Sequence, residues 1–318
     1  MIIDANSVQA AVTRIDGKIE RTPLTFDAGL NVYIKWENQQ KTGAFKIRGA
    51  LNKILALAPW EQERGLVAVS AGNHGLGVAY AARLVGAKAT VFLPEKITGN
   101  KEKAILDYGA TVQKIAGDYR QAEIEAQNYA VKRGATWVSP YNDAQVIAGQ
   151  ATLGMELIDQ IQPYDSEACL VPVSGGALAS GIGLAFRINN IDTKIIGVQS
   201  KNSAYFHSLY HYGTMKNVVE SKSVADGLTG GVELNSMTIP LVRSMLDDFV
   251  LVNEEEIERA IAFVWYHYQV VVEGSAAVPF AAILANKITV KKPVLILTGC
   301  NIQADYHNQI CERWKGLI

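Results

Sequence analysis

The fold class of this chain is indicated by a stretch that reads Leu66-Val67-Ala68-Val69-Ser70-Ala71-Gly72-Asn73-His74-Gly75. The apolar run at its start is typical of a strand that is buried on both faces of a sheet. The Ser-Ala-Gly-Asn turn after it is typical of a helix start, and residues 75–84 continue with a helical period. A buried strand that passes through a turn into a helix is the repeating unit of a parallel α/β sheet.

The same alternation of strand and helix continues along the chain. Buried strands are predicted at residues 66–69, 89–93, 111–114, 137–139, 169–173, 194–199 and 293–297. An earlier strand is predicted at residues 31–36, and amphipathic helices at residues 118–132, 146–161 and 178–188. Two series of these elements, one before Pro140 and one after it, predict an α/β protein of two lobes, each with a central, mostly parallel sheet flanked by helices.

Composition narrows the class of function. The chain has 318 residues, of which 49% are hydrophobic and 19% charged, so it can bury a sizeable core. Lys and Arg (30) nearly balance Asp and Glu (31), so no long-range field attracts nucleic acid or an anionic membrane. Cys169, Cys300 and Cys311 are too widely spaced for a disulfide framework or a structural zinc site. With no apolar run at the N-terminus, we expect a cytoplasmic protein with a small-molecule substrate and no nucleic-acid or membrane partner.

A glycine-rich turn follows the strand that ends at Val173 and reads Ser174-Gly175-Gly176-Ala177-Leu178. It opens a helix, where free backbone N–H groups and the helix dipole favour an anion. It is not a Walker A loop, because Ile182 stands where the nucleotide-binding lysine is required. The alternative is a turn that only packs the helix on the strand.

Two further stretches are candidates for a site. The turn from Ser70 to His74 could hold a carboxylate, although N-capping by Ser70 or Asn73 is an alternative, as is a structural role for His74. The other stretch reads Lys41-Thr42-Gly43-Ala44-Phe45-Lys46-Ile47-Arg48-Gly49-Ala50. Phe45 and Ile47 flank Lys46, so its amine is expected to be partly desolvated and closer to the neutral form that a Schiff base requires. The alternative is an ordinary solvated lysine.

Together these stretches resemble the fold type II pyridoxal-phosphate enzymes, which share the fold of the tryptophan synthase β subunit. The resemblance is to the serine/threonine dehydratase (ammonia-lyase) and serine racemase branch, and it covers almost the whole chain. Residues 42–50 match the family's Thr-Gly-Ser-Phe-Lys-x-Arg-Gly-Ala segment, with Ala44 in place of the serine. The resemblance implies pyridoxal 5'-phosphate as cofactor, Lys46 as its Schiff-base and catalytic lysine, and Phe45 as a further cofactor-binding residue.

The other motifs of the family imply further roles. The family's Ser-x-Gly-Asn-His turn implies a substrate-carboxylate site made of Ser70, Ala71, Gly72, Asn73 and His74. In addition, Asn73 is implied to contact the 3'-oxygen of the cofactor. The family's phosphate loop corresponds to Ser174, Gly175, Gly176, Ala177 and Leu178. Its late Ser-Gly-Gly-Asn motif corresponds to Thr298-Gly299-Cys300-Asn301, which places the Thr298 hydroxyl at the pyridine nitrogen.

The resemblance also bears on domain organisation. It implies a large cofactor-binding domain of residues 1–42 and 140–318, and a small mobile domain of residues 43–139. By analogy with the family, we expect a homodimer or a higher homo-oligomer. Glu273 and Asp226 resemble residues that line the family's cofactor site, with helix capping or surface exposure as alternatives.

The activity implied is β-elimination of water from L-threonine or L-serine, which gives a 2-oxo acid and ammonia. The segment Thr229-Gly230-Gly231-Val232-Glu233 is unusual for threonine dehydratases, so another hydroxylated substrate remains an alternative: a hydroxyectoine-derived amino acid, phenylserine or 3-hydroxyaspartate. A serine racemase-like enzyme and a non-catalytic ligand sensor are further alternatives.

Two departures from the racemases lead to negative predictions. The racemases have a serine directly before the Gly-Asn-His of the carboxylate turn, whereas this chain has Ala71, which cannot carry a proton. We therefore expect little racemase activity. Gln199 and Tyr205 stand where those relatives bind a divalent cation with carboxylates, so we predict no metal site.

Overall fold

The fold is described by a computed structural model that covers residues 3–70, 72–95, 100–161 and 165–318, without the side chains of residues 100 and 101. In chain order its strands are β1 (Leu24–Asp27), β2 (Val32–Trp36), β3 (Leu66–Val69), β4 (Ala89–Pro94), β5 (Thr111–Ile115), β6 (Thr136–Trp137), β7 (Ala168–Pro172), β8 (Lys194–Ser200), β9 (Asp248–Val252) and β10 (Val294–Leu297). Its α-helices are α1 (Ala5–Ile15), α2 (Lys46–Leu55), α3 (Pro59–Glu63), α4 (Asn73–Val85), α5 (Asn100–Asp107), α6 (Tyr119–Arg133), α7 (Ala144–Gln160), α8 (Ala177–Ile188), α9 (Tyr205–Tyr212), α10 (Thr238–Met245), α11 (Glu254–Tyr268), α12 (Gly274–Leu284) and α13 (Ala304–Trp314).

The larger sheet has six strands in the order β1-β2-β10-β7-β8-β9. Only β1 is antiparallel to its neighbour, and the other pairs are parallel. Alternate residues of β7 face opposite ways, as the pleat of a strand requires. Leu170 packs in a core with α11 and α12, whereas Cys169 and Val171 pack in a core with α7 and α8. Helices therefore cover both faces of this sheet.

The smaller sheet has four parallel strands in the order β5-β4-β3-β6. Leu66 and Ala68 of β3 pack against α2 and α4, and Val67 and Val69 pack against α6. The predicted α/β fold with two sheets flanked by helices is thus confirmed. Because all strands except β1 run parallel within their sheet, they direct their carboxyl ends, and the turns that follow, to one edge of each sheet.

Several predicted elements differ from the observed ones. The strand at residues 111–114 was expected to be buried, which is wrong: Thr111 and Lys114 of β5 are exposed because β5 is an edge strand. The strand predicted at residues 137–139 ends at Trp137. After it the Ser139 hydroxyl accepts hydrogen bonds from the backbone N–H groups of Tyr141 (3.4 Å) and Asn142 (3.0 Å), which turns the chain away from the sheet. The sequence did not predict β1 or β9.

The two sheets occupy separate parts of the sequence. The strands of the smaller sheet lie within residues 66–137, and those of the larger one within residues 24–36 and 168–297. The domain boundaries, the mobility of the small domain, the oligomeric state and the cytoplasmic location stay predictions. Within the residues that the structure describes, no helix has both the length and the apolar character needed to cross a bilayer.

Candidate active site

Lys46 is the first residue of α2 and is held at the carboxyl end of β10. The preceding backbone forms a short antiparallel contact with the segment after that strand. Phe45 N donates to Thr298 O (3.0 Å), and Cys300 N donates to Gly43 O (2.9 Å). The structure therefore brings Lys46 next to Thr298, 252 positions later in the sequence (298 − 46).

A close helix crossing fixes the position of α2. A Cβ atom on Gly149 of α7 would lie 2.5 Å from Arg48 O and 2.7 Å from the Cα of Gly49. Neither distance is possible for a real side chain, so the two backbones can touch only because Gly149 lacks one. The lysine therefore projects from a helix that is packed directly against α7, one of the helices that cover the larger sheet.

The Lys46 amine lies in a partly buried environment. Its Nζ donates to Pro140 O (3.0 Å) and lies 5.3 Å from the centre of the Phe45 ring. Burial lowers the pKa of Lys46 to about 8, although the negative charge of Glu273 acts in the opposite direction. At that pKa roughly a tenth of the amine is neutral at pH 7, which is far more than for a solvated lysine.

A chain of side-chain hydrogen bonds joins three distant parts of the sequence beside Lys46. Asn301 Nδ2 donates to Asn73 Oδ1 (2.6 Å) and to Thr42 O (2.9 Å), and Asn73 Nδ2 donates to Glu273 Oε1 (2.6 Å). The sequence left the role of Glu273 open and assigned none to Asn301, although the Thr298–Asn301 motif contains it. That motif was the available signal for Asn301.

The imidazole of His74 is buried and neutral. Its Nε2 lies 2.8 Å from Val138 O, which can only accept, so Nε2 carries the proton. Burial, followed by the nearby Lys46 charge, lowers the pKa of His74 to about 3. Nδ1 is therefore unprotonated, and it is buried without a hydrogen-bond partner among the described residues. The ring has no second N–H to offer to a carboxylate.

The predicted carboxylate turn leads into a helix start that no described side chain caps. Gly72 is the N-cap residue of α4, so neither Ser70 nor Asn73 caps this helix. The Ser70 hydroxyl instead accepts from Gly72 N (3.1 Å). The first-turn N–H groups of α4 thus remain for another acceptor. Ala71 lies outside the described residues.

The glycine-rich turn has a similar helix start. Gly176 has a φ of +84° and is the N-cap of α8, which no side chain caps among the described residues. A Cβ atom on Gly175 would lie 2.3 Å from Tyr141 Cγ, and one on Gly176 would lie 2.7 Å from Val242 Cγ2. Only glycine fits at either position. Ala177 and Leu178 form the first turn of the helix, where backbone N–H groups suit a phosphate.

These features fit pyridoxal phosphate. A lysine with a lowered pKa, an uncapped helix start for the phosphate, and the buried Thr298 next to the lysine segment are the groups that the cofactor requires. Which residues bind it stays a prediction.

Among the described residues, no three His, Cys, Asp or Glu side chains are grouped as metal ligands. Gln199 Oε1 accepts from the backbone N–H of His207 (3.1 Å) in the first turn of α9.

Comparison with known proteins identifies the class. The family model described as pyridoxal-phosphate dependent enzyme matches residues 15–299, so the chain belongs to that family. It is 38% identical to an L-threonine ammonia-lyase of Thermotoga maritima, over 100% of this chain and 80% of that protein. It is 37% identical to a catabolic L-threonine dehydratase of Staphylococcus aureus, over 95% of this chain and 90% of that protein.

A solved structure of a related enzyme has the same fold. The maize serine racemase superposes with a TM-score of 0.91 at 29% identity, over 100% of this chain and 98% of that one. The predicted fold type II architecture, the dehydratase and racemase branch, and pyridoxal phosphate as the cofactor are therefore confirmed. The protein is a pyridoxal-phosphate-dependent enzyme of the ammonia-lyase class.

Proposed function

We propose that this enzyme eliminates water from a small β-hydroxy amino acid, with L-threonine and L-serine as the reference substrates. The products are a 2-oxo acid and ammonia. The single observation that carries the proposal is the partly buried Lys46 amine, whose pKa is lowered to about 8 next to an uncapped helix start. Relatives named as threonine ammonia-lyase and threonine dehydratase support the same reaction.

The bound cofactor supplies an electron sink for the negative charge that develops at the substrate Cα. Lys46 Nζ accepts the Cα proton, because a base with a pKa near the working pH is both deprotonated and basic enough. The N–H groups at the start of α4 orient the substrate carboxylate. The neutral His74 ring adds no charge there, so the contact of this residue is assigned to its backbone.

Thr298 favours elimination over transamination. In the proposed arrangement its hydroxyl faces the pyridine nitrogen, and a neutral hydroxyl cannot hold that nitrogen protonated as a carboxylate would. With Thr298 at that position the cofactor would supply a moderate electron sink, which suits loss of a β-hydroxyl better than full transfer of the amino group. Thr298 is buried, which would shield such a contact from water.

Racemisation is the second candidate, since the maize relative is a serine racemase. A racemase needs an acid or base on the face of the substrate opposite the lysine. Ala71 stands at that position in the sequence and cannot move a proton. We therefore expect interconversion of L- and D-serine to be far slower than 2-oxo acid formation, and comparable rates would contradict the assignment.

The experiment measures 2-oxo acid formation from L-threonine and L-serine by the purified holoenzyme and its variants. Lys46→Ala is expected to lower kcat on the order of a thousandfold or more, because both the cofactor anchor and the base are removed. The control is Lys53→Ala, which removes a lysine of the same helix that pairs with Asp143 (2.7 Å). Its activity should stay within about twofold of wild type. A fully active Lys46→Ala enzyme would refute the proposal.

A further inference from the structure

The side chain of Asn73 is held by a chain of hydrogen bonds that has a fixed direction. At one end Asn301 Nδ2 donates to Thr42 O, and a backbone carbonyl can only accept. At the other end Asn73 Nδ2 donates to Glu273 Oε1 (2.6 Å), and a carboxylate can likewise only accept. The two ends therefore determine the bond between them, in which Asn73 Oδ1 accepts from Asn301 Nδ2 (2.6 Å). The Asn73 amide cannot turn over without placing two donors or two acceptors against each other.

The backbone around Glu273 directs its side chain to Asn73. Glu273 is the N-cap residue of α12 and is 6% exposed, yet its side chain makes no cap bond to that helix among the described residues. Its backbone N donates to Gly299 O (3.1 Å), which ties it to the segment after β10. A Cβ atom on Gly299 would lie 2.8 Å from Glu273 Oε1, so only glycine leaves room for the carboxylate. The sequence left helix capping and surface exposure open for Glu273, and the structure shows neither.

The fixed orientation decides what Asn73 can offer to a ligand. Its amide nitrogen has two N–H groups, of which Glu273 accepts one, so the second remains for another acceptor. Its amide oxygen already accepts from Asn301. In the arrangement predicted above, Asn73 contacts the 3'-oxygen of the cofactor, and that oxygen requires a donor.

We propose that Glu273 is a positioning residue for the cofactor. Its carboxylate fixes the Asn73 amide so that an N–H group, and not the amide oxygen, meets the 3'-oxygen of pyridoxal phosphate. This inference rests on the proposed function, because it requires the cofactor site on which that function depends. Holding the donor in place before the cofactor arrives strengthens binding, since less side-chain freedom is lost on binding.

Two variants separate the hydrogen-bond acceptor from the charge. Both Glu273→Gln and Glu273→Leu remove the negative charge, but only Glu273→Leu removes the oxygen that accepts from Asn73. The full chain, freed of cofactor, is titrated with pyridoxal 5'-phosphate at pH 9, where Lys46, with a pKa of about 8, is mostly neutral. Because the charge of Glu273 opposes the lowering of that pKa, its loss leaves Lys46 neutral in both variants.

The expected result is a difference between these variants in the Kd for the cofactor. Glu273→Leu should bind it on the order of tenfold more weakly than wild type, because Asn73 loses a charge-assisted hydrogen bond. Glu273→Gln should stay within about threefold, since its amide oxygen can still accept. Equal weakening in the two variants, or none in Glu273→Leu, would overturn the inference.

A double-mutant cycle tests whether Glu273 acts through Asn73. In an Asn73→Ala background, Glu273→Leu should weaken cofactor binding by less than about twofold further, because the side chain that it positions is gone. Glu255→Leu is the control for the substitution itself, since Glu255 is an exposed glutamate on α11. It should change the Kd by less than about twofold in either background. A full tenfold loss from Glu273→Leu without the Asn73 side chain would refute the positioning role.

The absorption spectrum distinguishes an oriented donor from a purely structural link, because Asn73 and Glu273 belong to the parts of the chain that form different sheets. An N–H group that donates to the 3'-oxygen favours its ionised form, which absorbs at longer wavelength. At saturating cofactor and without substrate, Glu273→Leu should lower the long-wavelength fraction at least about twofold, and Glu273→Gln should retain it. An unchanged spectrum of saturated Glu273→Leu would reduce the hydrogen bond to a structural link and end the proposal.

Turnover by the wild-type holoenzyme separates this inference from the proposed function, since neither the titration nor the spectrum involves a substrate. If L-threonine or L-serine yields a 2-oxo acid and Glu273→Leu binds the cofactor as tightly as wild type, the inference fails and the proposed function stands. If neither amino acid yields a 2-oxo acid while the differences in binding and spectrum are found, the proposed function fails and the role of Glu273 stands.

Discussion

Two groups of charged side chains in this protein are arranged in opposite ways. One is a buried ion network of Lys35, Glu37, Arg48 and Glu156, in which each carboxylate pairs with a cation. Arg48 contacts Glu37 and Glu156 at 2.7 Å each, and Lys35 contacts Glu156 at 2.7 Å. The other is the pair Glu123 and Glu233: Glu123 Oε1 is buried without a hydrogen-bond partner among the side chains described, and Glu233 accepts from the neutral Asn142 amide.

The comparison teaches how to tell a structural charge from a functional one. Charges that are paired inside the protein have their desolvation offset there, and removing one partner destabilises the fold. Charges that remain unpaired have no such structural benefit and are candidates for a ligand. The network is therefore assigned to holding α2 in place, whereas the Glu123 carboxyl has no comparable contact among the described residues.

The same contrast appears between two residues of α2. Burial by itself would lower the pKa of Arg48, but the charges and hydrogen bonds of Glu37 and Glu156 raise it, so Arg48 is always a cation. Lys46 is only two positions earlier, yet burial lowers its pKa to about 8. One basic residue anchors the helix, and the other is kept close to its neutral form.

The largest expected effect is on stability. Arg48→Met should lower the free energy of unfolding by about 3–5 kcal/mol, because Glu37 and Glu156 lose their common partner in a buried site. Denaturant unfolding of the holoenzyme measures this. Arg21→Met is the control: Arg21 pairs with Asp159 on the surface, where side-chain exposures are 55% and 62%, and should change stability by less than about 1 kcal/mol. Equal losses would mean that the network is not structural.

The next largest effect concerns the pH dependence of cofactor uptake. Lys46 must be neutral to capture the cofactor aldehyde, so the rate of cofactor uptake by the apoprotein should rise with pH and level off above the lysine pKa of about 8. Between pH 6 and pH 8 we expect an increase of roughly fiftyfold. Rapid-mixing absorbance measurements report this rate. A rate that still rises tenfold per pH unit between pH 9 and pH 10 would show that the pKa is not lowered.

The smallest effect concerns the stability contribution of the Glu123 carboxyl. Because the folded-state pKa of Glu123 is raised, its ionisation destabilises the fold at pH values above its unfolded value of 4.5. Glu123→Gln should therefore leave stability unchanged or raise it by up to about 1 kcal/mol at pH 8, with no gain at pH 4. Thermal unfolding at the two pH values measures this. Glu37→Gln, which removes a paired carboxylate, should instead be destabilising, and a similar loss in Glu123→Gln would end the contrast.

Part of the fold and part of the candidate site could be predicted, because these features depend on residues that are neighbours in the sequence. The strand at residues 66–69 follows from a continuous apolar run, and the partial burial of Lys46 follows from Phe45 and Ile47 beside it. The exposure of β5 could not be predicted, since it depends on which strand lies at the edge of the sheet. Asn73 and Glu273 are 200 positions apart, so no local pattern reports their hydrogen bond.

The amino-acid sequence by itself determined the α/β class, the order of the motifs and the lysine that resembles the cofactor anchor, because hydrophobic period and turn chemistry act over a few residues. Only the tertiary structure decided which charges are paired. Arg48 and Glu156 are 108 positions apart, and burial and electrostatic interactions depend on distances in space. For that reason the neutral state of His74, and a Glu123 Oε1 without a hydrogen-bond partner among the described residues, emerge only from the folded chain, whereas the direction of the Lys46 pKa shift followed from its neighbours in the sequence.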